Sequence, residues 1–175
     1  MLKDDIAQEF LRILRKLRDA AKQEIRDQGH VASGKGVASV EERILSQDAD
    51  SIKGAILALD YMVGPVEHGV RPDRVAYTPN SGRPPSKYIS GLIRWSRYVK
   101  PSLNDKDRMS FVFAVANTHL REGIPSRGSY SFSNNGRRRH WIENGAKAVE
   151  EDVSFDLQML KLLSSTYEKI LSPSN

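Results

Sequence analysis

Apolar residues recur at helical spacing over the first 28 positions. They lie three, four or a multiple of these apart: Leu2, Ile6, Phe10, Ile13, Leu17 and Ile25. This is the period of an amphipathic helix. Lys and Arg occupy the opposite side, and Gly29 is a plausible stop. The pattern predicts a helix over 2–28, with its basic side interpreted as a solvated surface.

The pattern changes between Val40 and Val63. Val40 to Leu45 predicts either a short strand or a helical turn. Ile52 to Val63 is mostly apolar rather than alternating, with Ile56-Leu57-Ala58-Leu59 at its centre. A short continuous apolar run is typical of a strand buried on both faces. The segment 52–63 is therefore predicted to be a strand or hairpin.

Helical spacing returns in the second half of the chain. The apolar residues from Tyr88 to Val99 lie on one face of a predicted helix. We interpret this face as part of the core, with Trp95 as its anchor. Pro101 should end that helix. Asn104 is a suitable N-cap for the next helix, which should end at Gly123-Ile124-Pro125.

A last helix is predicted from about Gly145 to Leu171. Its apolar residues follow a near-heptad pattern, and Val153, Leu157 and Leu160 should face the body of the protein. Taken together, the segments predict an α+β fold. A small antiparallel sheet packs against several helices, with long helices at the N- and C-terminal ends.

The composition fits one soluble domain over residues 1–175. No apolar run approaches the length of a membrane span, so no membrane contact is expected. The N-terminal acidic residues are unlike a signal peptide. The chain has no Cys, which excludes disulfides and thiolate metal sites and suits a protein made in a reducing cytoplasm.

A polar loop rich in Ser, Gly and Asn runs from Ser126 to Gly136. Its only sizeable apolar groups are Tyr130 and Phe132, too few to order it alone, so we expect it to be flexible. Five arginines lie between Arg121 and His140, against the single acid Glu122: Arg121, Arg127, Arg137, Arg138 and Arg139. Such a cluster can bind phosphates or acidic groups of a neighbouring subunit. Arg127, Tyr130, Phe132 and Arg137–Arg139 are therefore candidate contact residues. The alternative is a solvated loop with an exposed basic root.

Turn-forming residues cluster between the apolar run and the central helices. Glu67-His68-Gly69 follows Gly64-Pro65, and Arg71-Pro72 should force an extended turn. Gly69 is expected to supply a backbone angle that other residues resist. Pro84-Pro85 then precedes the helix that carries Trp95.

The order of these pieces resembles the head–tail joining, or tail-completion, proteins of long-tailed bacteriophages. The pieces that match are Val66-Glu67-His68-Gly69, Arg71-Pro72, Pro84-Pro85, Trp95 and Gly123-Ile124-Pro125. The resemblance covers roughly residues 50 to 170, and its motif turn consists of Glu67, Gly69, Arg71, Pro72 and Pro125. Residues 73–83 look like an insertion. The polar loop 126–136 replaces the aromatic pair usual after the last turn.

The resemblance implies a structural virion protein made in the host cytoplasm, without enzymatic activity. Copies would form a sixfold ring in the neck of the virion. The ring would meet a head-closure or connector protein on one side, and a tail terminator or tail tube protein on the other. The genome would pass through its channel, with possible non-specific contact between protein and DNA.

Two other hypotheses follow from the residues themselves. The first is a stand-alone nucleic-acid-binding protein that uses Arg137–Arg139. The second is a phosphodiester-cleaving enzyme that uses Glu67 with His68 or His140. The histidines lack metal-ligand spacing, and no ordered catalytic set is recognisable. We therefore predict no catalytic residue, cofactor or metal.

Overall fold

The computed structural model describes residues 2–48, 51–79, 86–126, 130, 133–154 and 156–158. In chain order the elements are α1 (Leu2–Asp27), α2 (Lys35–Ala38), β1 (Glu41–Gln47), β2 (Ile52–Leu57), a π-helical turn (Met62–Val66), a 3-10 turn (Pro72–Arg74), α3 (Lys87–Val99), α4 (Asp105–Glu122) and α5 (Trp141–Ala148). The fold is α+β, with a small antiparallel sheet packed against helices, as predicted. No helix in the described ranges is long and apolar enough to cross a membrane.

The chain divides into two compact units. The first unit comprises Met1–Glu24, Ser39–Ala58 and Ile142–Asn175, and the second comprises Ile25–Ala38 and Leu59–Trp141. Over these ranges the first unit has 11 Lys and Arg against 15 Asp and Glu, a net charge of −4. The second has 16 against 7, a net charge of +9. The prediction of a single domain stays a prediction.

The core of the first unit is built on the apolar face of α1. Ile13 is 1% exposed and packs with Val153, joined by half-buried neighbours from α1 and the C-terminal segment. Gly54 of β2 lies so close to Phe10 and Leu14 of α1 that a Cβ there would overlap Leu14. A glycine at this position lets the strand approach the helix closely.

The basic side of α1 is not simply solvated. Arg15 and Arg18 both bond Glu42 of β1, the latter at 2.7 Å between Nη1 and Oε2. The Lys16 ammonium lies 2.8 Å from an oxygen of Asp156. Of these three residues, Lys16 belongs to the basic side that was predicted to be solvated, and that prediction is therefore wrong for Lys16. The charges of all three are matched by acids brought close by the hairpin and the C-terminal segment.

Strands β1 and β2 form an antiparallel hairpin, from the pair Glu41–Leu57 to the pair Gln47–Ile52. A bulge between Ile44 and Ser46 leaves Leu45 exposed. The sequence interpretation of 52–63 as one strand or hairpin is wrong beyond Leu57, because residues 60–66 are helical.

This helical turn contains Pro65, which cannot donate to a strand ladder, so a π-helical turn between Met62 and Val66 replaces the expected strand end.

Helices α3 and α4 form the core of the second unit. Ile89, Val112 and Ala116 are buried between them, with Tyr77, Tyr88, Leu92 and Ile93 packed around. The predicted Asn104 cap is confirmed: its Oδ1 accepts from the Asp107 N–H at 2.9 Å.

The α1 stop at Gly29 is also confirmed. The N–H of His30 bonds the Ile25 carbonyl at 3.0 Å, and that of Gly29 bonds the Arg26 carbonyl at 2.9 Å. These two bonds, with φ of 75° at Gly29, form a Schellman motif.

The last helix begins earlier than predicted, at Trp141 rather than Gly145. Gly145 instead lies inside α5, where a Cβ would come within 2.8 Å of the Ala21 Cα. Gly145 therefore lets α5 pack closely against α1 and does not mark the start of a helix. A turn at Val149 follows, and residues 150–154 and 156–158 are helical. Leu160 and the predicted helix from there to Leu171 lie outside the described residues.

Two apolar assignments need correction. Val153 is buried as predicted, but Leu157 is 38% exposed, so the predicted inward face ends before it. Trp95 is only half-buried and stacks on Phe111, with ring centroids 5.8 Å apart. The fully buried tryptophan is Trp141, at 0% exposure.

Candidate assembly site

The turn motif and the end of α4 meet in a short antiparallel bridge within the second unit. The Val70 N–H bonds the Ile124 carbonyl at 2.6 Å, and the Ile124 N–H bonds the Val70 carbonyl at 2.9 Å. In both segments of the bridge, the residue before the bridging residue is a glycine with positive φ, 82° at Gly69 and 86° at Gly123. The predicted backbone requirement at Gly69 is therefore confirmed. Two pieces of the proposed motif, more than 50 residues apart in sequence, are hydrogen-bonded neighbours.

Arg139 joins this bridge from a third segment. Its Nη2 donates to the Pro125 carbonyl at 3.1 Å. Its guanidinium lies over Gly69, where a Cβ would stand 2.9 Å from Cζ and Nε of the arginine. Glycine at position 69 therefore serves two needs: the backbone angle, and room for the Arg139 side chain.

Hydrogen bonds to the end of α1 and the residues after it hold the segment around Arg139 in place within the second unit. The Gln28 side chain donates to the Arg139 carbonyl at 2.9 Å, and the His30 ring lies 3.0 Å from the Arg138 carbonyl. The Asn134 N–H bonds the Asp27 carbonyl at 2.6 Å. We expected the loop 126–136 to be mobile in the free subunit. Within that loop Asn134 is instead hydrogen-bonded to α1, and the residues 138–140 that follow the loop are anchored as well.

Trp141 closes the anchored segment. The His140 N–H bonds the Glu67 carbonyl at 3.0 Å, and His140 adopts a φ of 60°. The next residue turns inward, so that the Trp141 indole N–H donates to the Met62 carbonyl at 2.9 Å. Trp141 was not predicted as an anchor, although a large aromatic residue directly after a charged run is a signal for one.

The three consecutive arginines are in different environments. Arg137 is exposed, whereas Arg138 and Arg139 are half-buried. Burial lowers the pKa of the Arg138 guanidinium below its ordinary value. The interpretation of all three as an exposed basic root therefore holds only for Arg137. Arg139 has a clear structural role at the bridge.

The remaining candidate residues occupy varied positions. Tyr130 is 80% exposed and lies against Gly136, where a Cβ would be 3.1 Å from its ring. The Arg71 guanidinium is exposed and lies 2.9 Å from the Asp73 carboxylate. Pro72 is exposed and opens the 3-10 turn, whereas Pro125 is buried. The predicted contacts Arg127 and Phe132, and the motif pair Pro84-Pro85, lie outside the described residues.

The residues of the enzyme hypothesis differ in how far their side chains are exposed to solvent. Glu67 is 4% exposed, whereas the side chains of His68 and His140 are exposed. Glu67 and His68 therefore point to different environments, as expected for neighbours in the chain. Within the described ranges, no group of three or more His, Asp or Glu residues could hold a metal ion.

A second polar pair lies between α3 and α4. The Tyr88 hydroxyl is 2.6 Å from Nδ1 of His119. Burial raises the pKa of Tyr88 to about 12, and burial together with the charge of Arg138 lowers the pKa of His119. Both groups are therefore held in their neutral forms at pH 7, as a hydrogen-bonded pair inside the unit.

Comparison with protein-family models, curated protein sequences and solved structures gave no match.

Proposed function

We propose that this chain is a structural virion protein of the head–tail joining class of long-tailed bacteriophages. Copies form a sixfold ring in the neck, between a head-closure or connector protein and a tail terminator or tail tube protein. The observation that carries the proposal is the meeting of the turn 67–72 with the turn 123–125 at the Val70–Ile124 bridge. The resemblance rests on the order of these pieces, and a chance order gives no reason for them to be in contact.

The distribution of charge supports a ring. Subunits in a ring associate head to tail, so that one surface meets a different surface on its neighbour. Net charges of −4 and +9 on the two units provide surfaces of opposite sign on every copy. Complementary charge favours the correct orientation and disfavours contact between identical surfaces.

The docking element is the loop 126–136 together with Arg137, which directly follows it. Its root is held by the bonds to Gln28 and His30, whereas Tyr130 and Arg137 are exposed. Exposed aromatic and arginine side chains are typical anchors of protein interfaces. A loop fixed at its root can present them in a constant position to a neighbouring subunit or neck protein.

The test is electron microscopy of phage lysates that carry Tyr130→Ala with Arg137→Ala. The matched control is Lys35→Ala, which removes another exposed cation of the same unit. We expect the double variant to melt like wild type, because exposed charges add little to stability. It should yield separate heads and tails, whereas the control should yield complete virions.

The outcomes separate the hypotheses. Particles that look complete but retain or deliver the genome poorly would favour a DNA contact at this loop over a subunit contact. Complete particles with normal infectivity would contradict both and leave a solvated loop.

A further inference from the structure

The outer side of α3 is a continuous basic face. Exposed residues recur every three or four positions along one side of the helix, at Lys87, Ser90 or Gly91, Arg94, and Arg97 or Tyr98. The helix contains no Asp or Glu, and Lys100 adds a further exposed cation at its end. We call Lys87, Arg94 and Arg97 the α3 basic face.

The charges of this face are not cancelled. On α1, the cations Arg15, Arg18 and Lys16 each lie against a carboxylate of the first unit. On α3, the cations of the basic face have no ion-pair partner among the described residues. The face also belongs to the unit with the net charge of +9. Its field therefore extends into solvent and attracts anions.

The face is backed by packed apolar side chains and is open at its centre. Behind it, Ile89 is buried against Val112 and Ala116 of α4. At its centre Gly91 has open space, since a Cβ there would meet nothing within 4 Å. A long, straight polyanion can therefore approach the helix closely without displacing a bulky side chain.

The spacing of the charges suits a polyphosphate. Lys87 and Arg97 are ten residues apart, or about 15 Å along a helix that rises 1.5 Å per residue. Duplex DNA carries a negative charge every ~1.7 Å of its axis, so a face of this length meets several phosphates in any register.

The aromatic residues favour duplex over single-stranded nucleic acid. Single-strand sites stack successive bases on several aromatic rings. Here the Trp95 ring already stacks on Phe111, with 12° between the planes, and of the aromatic residues of α3 only Tyr98 is exposed. We propose that the α3 basic face binds the sugar–phosphate backbone of double-stranded DNA without reading its sequence. This goes beyond the joining role and does not require it, because a single subunit carries the whole face.

The experiment is fluorescence anisotropy of a labelled duplex of random sequence, titrated with the full chain over a range of salt concentrations. We expect log K to fall with log salt with a slope of about −2.7 for three phosphate contacts. Arg94→Gln with Arg97→Gln should weaken binding at least tenfold at low salt and reduce the slope by about 2. The control, Lys35→Gln with Lys106→Gln, removes the same charge from exposed sites elsewhere in the unit and should stay within about twofold of wild type.

Three results would overturn the proposal. The first is no duplex binding by wild type at low salt, which would leave an acidic protein as the partner for the face. The second is an equal loss in both double variants, which would mean that net charge alone determines binding. The third is tighter binding to a single strand of the same length. Equal melting temperatures of both variants and wild type exclude unfolding as the cause of a loss.

Discussion

Replacing Gly123 by Ala tests the bridge that joins the motif turns. Gly123 has φ of 86° and ψ of −174°, a combination open to glycine but strained for any other residue. A Cβ at this position would overlap the carbonyl oxygen of Val70. That oxygen accepts one of the two bridge hydrogen bonds, so the substitution forces the two segments apart.

The expected cost has two parts. Backbone strain at such an angle costs about 1–3 kcal/mol. The loss of the two bridge bonds, at 2.6 and 2.9 Å, adds about 0.5–1.5 kcal/mol for each. We therefore expect Gly123→Ala to lower the free energy of unfolding by about 4 kcal/mol, a large share of the 5–15 kcal/mol typical of a domain.

The assay is urea unfolding followed by circular dichroism, with Gly91→Ala as the matched control. Gly91 lies on the exposed side of α3, where a Cβ meets nothing, so the same chemical change should stabilise the helix by about 0.5–1 kcal/mol. The two substitutions should thus shift the midpoint in opposite directions. A Gly123→Ala variant within about 1 kcal/mol of wild type would refute the bridge.

Four further predictions concern the same unit. Gly69→Val should cost about 1–3 kcal/mol, because its φ of 82° strains a β-branched residue; wild-type melting would contradict it. Trp141→Phe should cost about 1–3 kcal/mol in urea unfolding, because the indole hydrogen bond to the Met62 carbonyl is lost and the smaller ring leaves a cavity; the carbonyl keeps its bond from the Glu67 N–H. Arg108→Met should lower the free energy of unfolding by about 2–4 kcal/mol, since the Arg108 guanidinium donates to carbonyls of the turn after α3, at 2.6 Å in the shortest case. A melting temperature unchanged from wild type would exclude a stabilising role for these bonds. Burial lowers the pKa of His30 to about 4, so as the pH falls the unfolded chain binds a proton at His30 before the folded chain does. The free energy of unfolding should therefore be highest above pH 6.5 and fall progressively down to pH 4. The fall should be smaller in His30→Gln.

The sequence predicted best where a local signal decides the structure. Asn104 caps α4 through its own side chain, and Gly29 ends α1 through a backbone angle that glycine adopts readily. The strand β2 was also predicted, but its end at Leu57 was not. Apolar residues continue to Val63, and the periodicity of a short apolar run does not distinguish a strand from a buried helical turn.

The candidate site could be predicted only in part. The need for glycine at position 69 follows from its place in a tight turn. The separate roles of Arg137 and Arg139 could not be predicted, because three consecutive arginines look alike until the fold places Gly69 and Pro125 beside one of them. For the same reason Trp95 seemed the natural anchor. Which tryptophan is buried depends on contacts with residues far away in the sequence, such as Met62.

We propose that copies of this chain form a closed ring in a virion neck. The most direct test is the particle mass of the purified protein, measured by mass photometry over a range of concentrations and salt. The same chain should be sought in purified virions by electron microscopy with a specific label. We expect a discrete ring of about six copies, free or in the neck, since a closed head-to-tail ring has one defined size. A chain that stays monomeric under all conditions and is absent from the neck of virions would contradict it.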